Sequence, residues 1–442
     1  MNREKSSSPL ADSLPIDINR LLEYARETGF CTRIGKIHPV HFWEVFCSES
    51  VRGTVSYNDL AGSFEAKIGP SVSRQAMAEK ISTSGLTFFK RVLGVAMATR
   101  TPEPALERIR ANGCFRRIIV QDSTVLRLPE RLYPIFSGVR NATTTVCNAR
   151  IQGVYDILAE NFLQYSIDSY SRNDLVADAD FLPQSGDLVL KDRGYLKYEG
   201  IATCIDRGAD CIFRYKHPTT FHSVQTGKCI NLAKTLNKQG TVDLKVVMGS
   251  DAGTAVPLRL VAFPVPEEVA NLRRMKARKE TKGRNPSKEL LHLLGWTIFI
   301  TTLPREKADA KQIAELYGLR WRIENIFKTW KSNFCFDHIH NVSAVQLRML
   351  LVARLTVIAL LQHRLFIPLA AALEKKGREL SLMKFMRYAQ RNLSTLLPAP
   401  QSGRRFEKLV TSMQRYCAME KRKRKSLKAR GRDVLAEIAM YA

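Results

Sequence analysis

The sequence predicts a mixed α/β protein with helical regions at both ends, and three observations carry that prediction. Apolar strand-like runs that end in polar groups recur between Arg116 and Pro218, with helical stretches among them. Residues 1–110 hold few such runs, and after Pro304 the chain reads as helical to its end. A length of 442 residues, 45% of them hydrophobic and 25% charged, suits a folded chain of two or three domains rather than a disordered one.

In the first region, SYNDLAGSFEAKIG (Ser56–Gly69) and SVSRQAMAEKIS (Ser71–Ser82) read as two short helices around a Gly-Pro turn. Ser73 is placed to cap the second. The pair has the form of a helix-turn-helix, which would set Arg74, Gln75 and Lys80 in a major groove. Two helices of an ordinary bundle account for it equally well. Next, RRIIVQDSTVLRLP reads as a buried strand ending in polar residues, and NARIQGVYDILAENFLQYSID as a hairpin joined at Glu160-Asn161. GDLVLKDRGY and ADCIFRYKHP each put an apolar run just before polar groups. TVDLKVVMG, VPLRLVAFPVP and GWTIFITTLP make residues 218–304 strand-rich.

Charge narrows the function. Lys plus Arg number 69 against 42 Asp plus Glu, a formal excess of +27, which favours a polyanionic partner over small-molecule metabolism. The basic runs Arg273–Lys288 and Lys421–Arg432 are most simply solvated charge; on a DNA enzyme they would neutralise phosphates. The stretch nearest to a membrane span, Val342–Leu369, is broken by Arg348, Arg354 and Arg364, so no membrane partner is expected. The start of the chain has no apolar segment of the secretory kind, and the nine scattered cysteines form no CxxC pair. Reduced thiols inside the cell are therefore expected, without zinc or disulfides. No repeat of solenoid period occurs. A GxxxxGK[ST] loop is missing, so no nucleotide cofactor is expected.

Two acidic residues stand at strand ends, where side chains converge at the edge of an open sheet. Asp122 follows IIV, and Asp192 follows LVLK. Either alone reads as a turn or cap residue. The segment ELYGLRWRIENIFKTWKS adds more. On one continuous helix, Tyr317, Arg320, Glu324 and Lys331 would fall within an arc of about 60° beside an apolar stripe. An amphipathic helix with surface charges explains the stripe but does not require that polar row.

The spacing Y-(2)-R-(3)-E-(6)-K, matched by Tyr317, Arg320, Glu324 and Lys331, resembles the signature of the IS-four family of bacterial insertion-sequence transposases. The order Asp122, Asp192, Glu324 resembles that family's DDE triad, in QDST, KDRGY and the signature helix. The 131 residues separating Asp192 from Glu324 resemble the β-rich insertion that interrupts its RNase H-like core. FRYKHP, with Arg214 and Lys216, resembles a DNA-contacting segment of hairpin-forming members. Trp296 lies 28 residues before Glu324, close to where such relatives place an aromatic for a flipped base; a core aromatic is the plainer reading.

The chain reads as five segments, of which a helical DNA-binding domain (1–110) and a helical basic C-terminal region (371–442) rest on composition. The resemblance covers about residues 110–370 and implies an RNase H-like core in two parts (111–217 and 305–370) around the β-rich insertion (218–304). It implies a cytoplasmic, nucleoid-associated DNA transposase acting on double-stranded transposon ends and target as a synaptic homodimer. Asp122, Asp192 and Glu324 would hold two Mg²⁺ or Mn²⁺ ions, since hard oxygen ligands select those ions. Arg320 and Lys331 would clamp phosphates, and Tyr317 would hydrogen-bond one. His338 and His340 are assigned no ligation. Two rival classes remain: an RNase H-like nuclease or recombinase without strand transfer, and a non-catalytic DNA-binding regulator of the same fold.

Overall fold

Strands form where the sequence alternates on a period of two, and among the described residues ten of them join one sheet. A computed structural model describes residues 9–53, 55–98, 114–140, 145–172, 180–237, 240–249, 255–280, 285–340, 342–399, 402–420 and 425–441. The strands are β1 (Arg117–Arg127), β2 (Ser137–Arg140), β3 (Thr145–Asp156), β4 (Asn161–Ser169), β5 (Asp187–Lys191), β6 (Asp210–Arg214), β7 (His222–Ser223), β8 (Val242–Met248), β9 (Val256–Pro264) and β10 (Trp296–Thr301). Their order is β2-β3-β1-β5-β6-β10-β9-β8-β7, with β4 beside β3. The expected hairpin is β3–β4, turning through Ile157–Glu160. The strands of the 218–304 segment continue the core sheet, because β10 pairs antiparallel with β6.

The centre of the sheet is parallel. β1 pairs with β5, and β5 with β6 across a crossover containing the Tyr198–Asp206 helix. Side chains alternate between the two faces: Ile118, Val120, Leu188 and Leu190 join one hydrophobic cluster, while Ile119 and Val189 join the other. The first cluster is large. It takes in the N-terminal helices, the helices of the 310–333 segment and the C-terminal helices together.

Both helices of the expected helix-turn-helix form. Ser56 caps Tyr57–Ile68, and Ser73 caps Arg74–Glu79, which is only six residues long. The apolar run after Ser343 forms the helix Ala344–Leu361, followed by a π-helical segment Gln362–Phe366. Residues Ala344–Lys375 are long and apolar enough to cross a membrane by length and composition, yet 83% of their most apolar window is buried inside the protein. Within it, Arg354 is fully buried and donates to the carbonyls of Ser50, Gly53 and Cys335 at 2.7–2.8 Å. All nine cysteines are free thiols. Lys282 and Arg284 of the first basic run and Lys421–Arg424 of the second lie outside the described residues, as do residues 1–8 of the chain start and 99–110 of the first region.

One glycine of the sheet leaves room for two aromatic rings. Gly153 of β3 pairs with Asp122, and a Cβ there would lie 2.7 Å from Phe162 Cε1 and 3.4 Å from Phe327 Cζ. Gly153→Ala is expected to lower stability by about 1–3 kcal/mol through overpacking. Denaturant unfolding of the two proteins checks this, and equal midpoints would show that the two rings yield freely.

Candidate active site

The parallel pairing of β1 and β5 places two carboxylates side by side. Val120 pairs with Leu190, so Asp122 and Asp192, each two residues further on, stand level at the same end of the two strands. Asp122 is still within β1, which runs on to Arg127 alongside β3, whereas Asp192 lies just past β5 and starts a short 3₁₀ turn. By the period of two, Asp122 shares a face with Val120, the face on which the Glu324 helix packs.

The signature segment is two helices rather than the expected one. Asp309 and Gln312 form a capping box that starts Ala310–Gly318, and a second helix spans Trp321–Asn333. Gly318, a poor helix former, ends the first. Between them the backbone tightens: the N–H groups of Leu319, Arg320, Arg322 and Ile323 each donate three residues back, at 3.0–3.2 Å. Tyr317 therefore sits on one helix, Arg320 at the joint, and Glu324 and Lys331 on the other.

From that joint Arg320 reaches two of the acids. One guanidinium nitrogen donates to Asp122 Oδ2 at 2.9 Å and another to Glu324 Oε1. The Tyr317 hydroxyl donates to Asp192 Oδ1 at 3.4 Å, with its ring 4.9 Å from that of Phe299. Lys331 Nζ donates to the Val125 carbonyl at 2.9 Å. Tyr317 and Lys331 are thus each held by a hydrogen bond within the protein.

Burial pushes the Asp122 carboxyl up to about 6, against the opposing pull of Arg320 and of the Ser123 N–H; Glu324 and Asp192 add to the rise. Arg320 is itself buried, but Tyr317 and the three acids hold its proton more firmly than usual. Burial moves the Tyr317 phenol up and the Lys331 ammonium down. All three acids offer hard oxygen donors, the kind suited to Mg²⁺ or Mn²⁺. Among the described residues no three His, Cys, Asp or Glu side chains lie close enough to grip one ion. Arg320 stands between Asp122 and Glu324. The donor set fits in kind, and the cleft's positive charge comes from the guanidinium.

Residues 113–360 match the model of the transposase DDE domain, more than half of the chain. The chain belongs to the DDE transposases. Its similarity to the transposase of insertion sequence element IS231C of Bacillus thuringiensis is 27% identity, covering 87% of this chain and 85% of that one. For the IS1151 transposase of Clostridium perfringens the figures are 24%, 83% and 82%. These relatives agree with the IS-four resemblance. A piggyBac transposase synaptic complex with hairpin DNA is also similar in shape, at a TM-score of 0.44 and 10% identity over 97% of this chain and 82% of that one, too slight a likeness to build on. DDE transposases act on DNA and in general depend on a divalent metal.

Beside the transposase's Asp192 lies a cavity of about 610 Å³ whose lining includes Arg193, Arg214, Lys216, Arg273 and Trp296. Trp296 is half-buried there, at the start of β10, packed on the second cluster. Arg214 Nη2 reaches Thr297 Oγ1 at 3.5 Å, and burial with the neighbouring Arg273 lowers its pKa. Arg273 was missed by sequence reasoning. It belongs to a basic run that reads as solvated, yet it donates to the Trp296 carbonyl at 3.0 Å and to that of Leu294 at 3.4 Å. Trp321, 54% exposed beside Arg320, was also missed, since its place in the helix resembled an ordinary surface position. His338 Nε2 lies 3.5 Å from Asp337 Oδ1.

Arg320→Met is expected to raise the Asp122 pKa above about 6, because the guanidinium favours the ionised form. Infrared titration of the carboxyl band in the metal-free protein checks this. A midpoint that stayed put or fell would mean that burial alone sets it.

Proposed function

We propose that this transposase cuts DNA at the ends of its own element by metal-dependent hydrolysis, passes through a hairpin and joins the freed 3′-hydroxyl to target DNA. The observation that carries the reading is the level placement of Asp122 and Asp192 on adjacent parallel strands, with Glu324 tied to Asp122 through Arg320. Asp122, Asp192 and Glu324 are the residues that would hold Mg²⁺ or Mn²⁺, two ions by the family's pattern. Bound there, the ions supply Lewis acidity and an activated water.

In the first cut, water oxygen bonds to the scissile phosphorus while the bond to the 3′-oxygen breaks, leaving a 3′-hydroxyl. That hydroxyl bonds to a phosphorus of the opposite strand while the flanking DNA leaves through its 3′-oxygen, closing a hairpin. A second water breaks the new bond and frees the 3′-hydroxyl, which then joins a target phosphorus as a target 3′-oxygen leaves. Arg320 and Lys331 position phosphates near the cut. Tyr317 orients Asp192 from within, and a phosphate contact by Tyr317 would require its hydroxyl to leave that acid. The cavity beside Asp192 takes a base extruded as the hairpin bends, stacked on Trp296, with Arg214, Lys216 and Arg273 supplying positive charge. The N-terminal helices bind the element's ends, and two copies act together at a paired pair of ends.

Replacing Asp122, Asp192 or Glu324 with Ala is expected to slow cleavage at least about a hundredfold, since losing even an outer partner of a metal ligand costs up to that much. End binding should persist, because it rests on phosphate contacts elsewhere. Gel shifts and cleavage of an end-labelled duplex in Mg²⁺ check both. Full cutting in excess chelator would sink the mechanism.

Trp296→Ala is expected to spare the first nick and slow hairpin closure, because base–aromatic stacking is worth roughly 1–3 kcal/mol. Time-resolved denaturing gels should show nicked DNA accumulating. If nicking and closure fell together, Trp296 would be a packing residue.

A further inference from the structure

The turn between β3 and β4 gathers side chains from distant parts of the chain. Glu160 is buried there, with φ at +49°, a conformation that non-glycine residues seldom adopt unless their surroundings hold them. Its carboxylate accepts from Arg322 Nη2 at 2.9 Å and lies 3.1 Å from Lys428 Nζ on the C-terminal helix Leu427–Tyr441. Its carbonyl accepts from Gln362 in the π-helical segment. The next residue, Asn161, donates to the Met97 carbonyl at 3.2 Å and meets His363 Nε2 at 3.1 Å. Burial alone would raise the Glu160 pKa, but Lys428 and Arg322 bring it down to about 2, so the group is ionised throughout the working range.

Arg322 is the informative partner. It lies two residues from Arg320 and two from Glu324, so on a helix of about 100° per residue it points away from both. Its other guanidinium nitrogen donates to the Ile157 carbonyl in the same turn, at 3.4 Å. The helix that presents Arg320 and Glu324 to Asp122 is thus pinned from behind, beside the tightened joint. Nearby, the C-terminal helix comes so close that a Cβ on Gly431 would lie 2.5 Å from Leu319 Cδ2 in that joint.

We propose that Glu160 is a positioning residue for DNA cutting: by holding Arg322 it sets where Arg320 and Glu324 stand relative to Asp122. The inference rests on the reading of the three acids as the cutting site. Glu160 is not one of the three acids, and its carboxylate is taken up by Arg322 and Lys428. It acts through a short, charge-assisted contact on the far side of the helix, where a small displacement carries straight through to the front.

The test uses full-length Glu160→Gln, Arg322→Met, the double variant and Gln362→Met, which loosens the same turn without touching Arg322. Single-turnover nicking of an end-labelled duplex in Mg²⁺, gel-shift affinity and melting temperature are measured for each. Glu160→Gln and Arg322→Met are expected to nick roughly tenfold to a hundredfold more slowly, as misplacement of a reacting group does. Their affinity for end DNA should stay within about twofold, since that rests on phosphate contacts elsewhere. The double variant should be no slower than either single one. Gln362→Met should lose melting temperature yet nick at nearly the wild-type rate.

A rate that simply tracks melting temperature across all four would overturn the proposal, as would wild-type nicking by Arg322→Met. If Glu160→Gln fails to fold, Arg322→Met against Gln362→Met decides. A second readout needs no cutting. With the four tryptophans replaced by 5-fluorotryptophan, the ¹⁹F signal of Trp321 should move in Arg322→Met and stay in Gln362→Met. A wild-type protein that cut nothing would refute the cutting-site reading, while an unmoved Trp321 signal in Arg322→Met would refute this one.

Discussion

Three carboxylates brought to one partly buried cleft repel one another, and the functional end of this fold depends on the guanidinium set among them. Arg320 answers Asp122 and Glu324 at once because its nitrogens fan out in a plane; an ammonium on a flexible stem would not fix the two acids at a set angle. Much of the surrounding structure serves to deliver that one group. The parallel register of β1 and β5 brings Asp122 level with Asp192. The tightened backbone at Leu319 and Arg320 then aims Tyr317 and Arg320 at different acids, Tyr317 at Asp192 and Arg320 at Asp122. Gly153, paired with Asp122, leaves room for the ring of Phe162, which lies beside Phe327 of the second helix.

What the sequence made legible was local. The β3–β4 hairpin, the acids at the ends of apolar runs and the polar row beside an apolar stripe all follow from periods of two and 3.6. The DDE transposase assignment rested on the same row and proved correct. The break at the Leu319–Arg320 joint was hidden because Arg320 keeps helical dihedrals, and only Gly318 hints at a stop. Continuation of the core sheet into β10, β9 and β8 depends on strand pairings far apart in sequence, which composition does not reveal. Arg273 and Glu160 were opaque for a related reason. A charged residue in a basic run or a hairpin turn looks solvated until tertiary packing buries it.

The buried Arg354 has a consequence for how such a protein can change over time. It joins the carbonyls of Ser50 and Gly53, in the N-terminal region, to that of Cys335, just beyond the Glu324 helix. The N-terminal helices share one hydrophobic cluster with Ala344–Leu361, and Phe42, Trp43 and Phe46 are buried in it. An N-terminal region built this way is not a bead on a string. Grafting the first hundred residues of a relative onto this chain would mismatch a common interior as well as a surface. On the proposed role of these helices in binding the element's ends, new preferences for DNA would come from exchange of single exposed side chains, such as Arg74 and Gln75, rather than from shuffling whole modules.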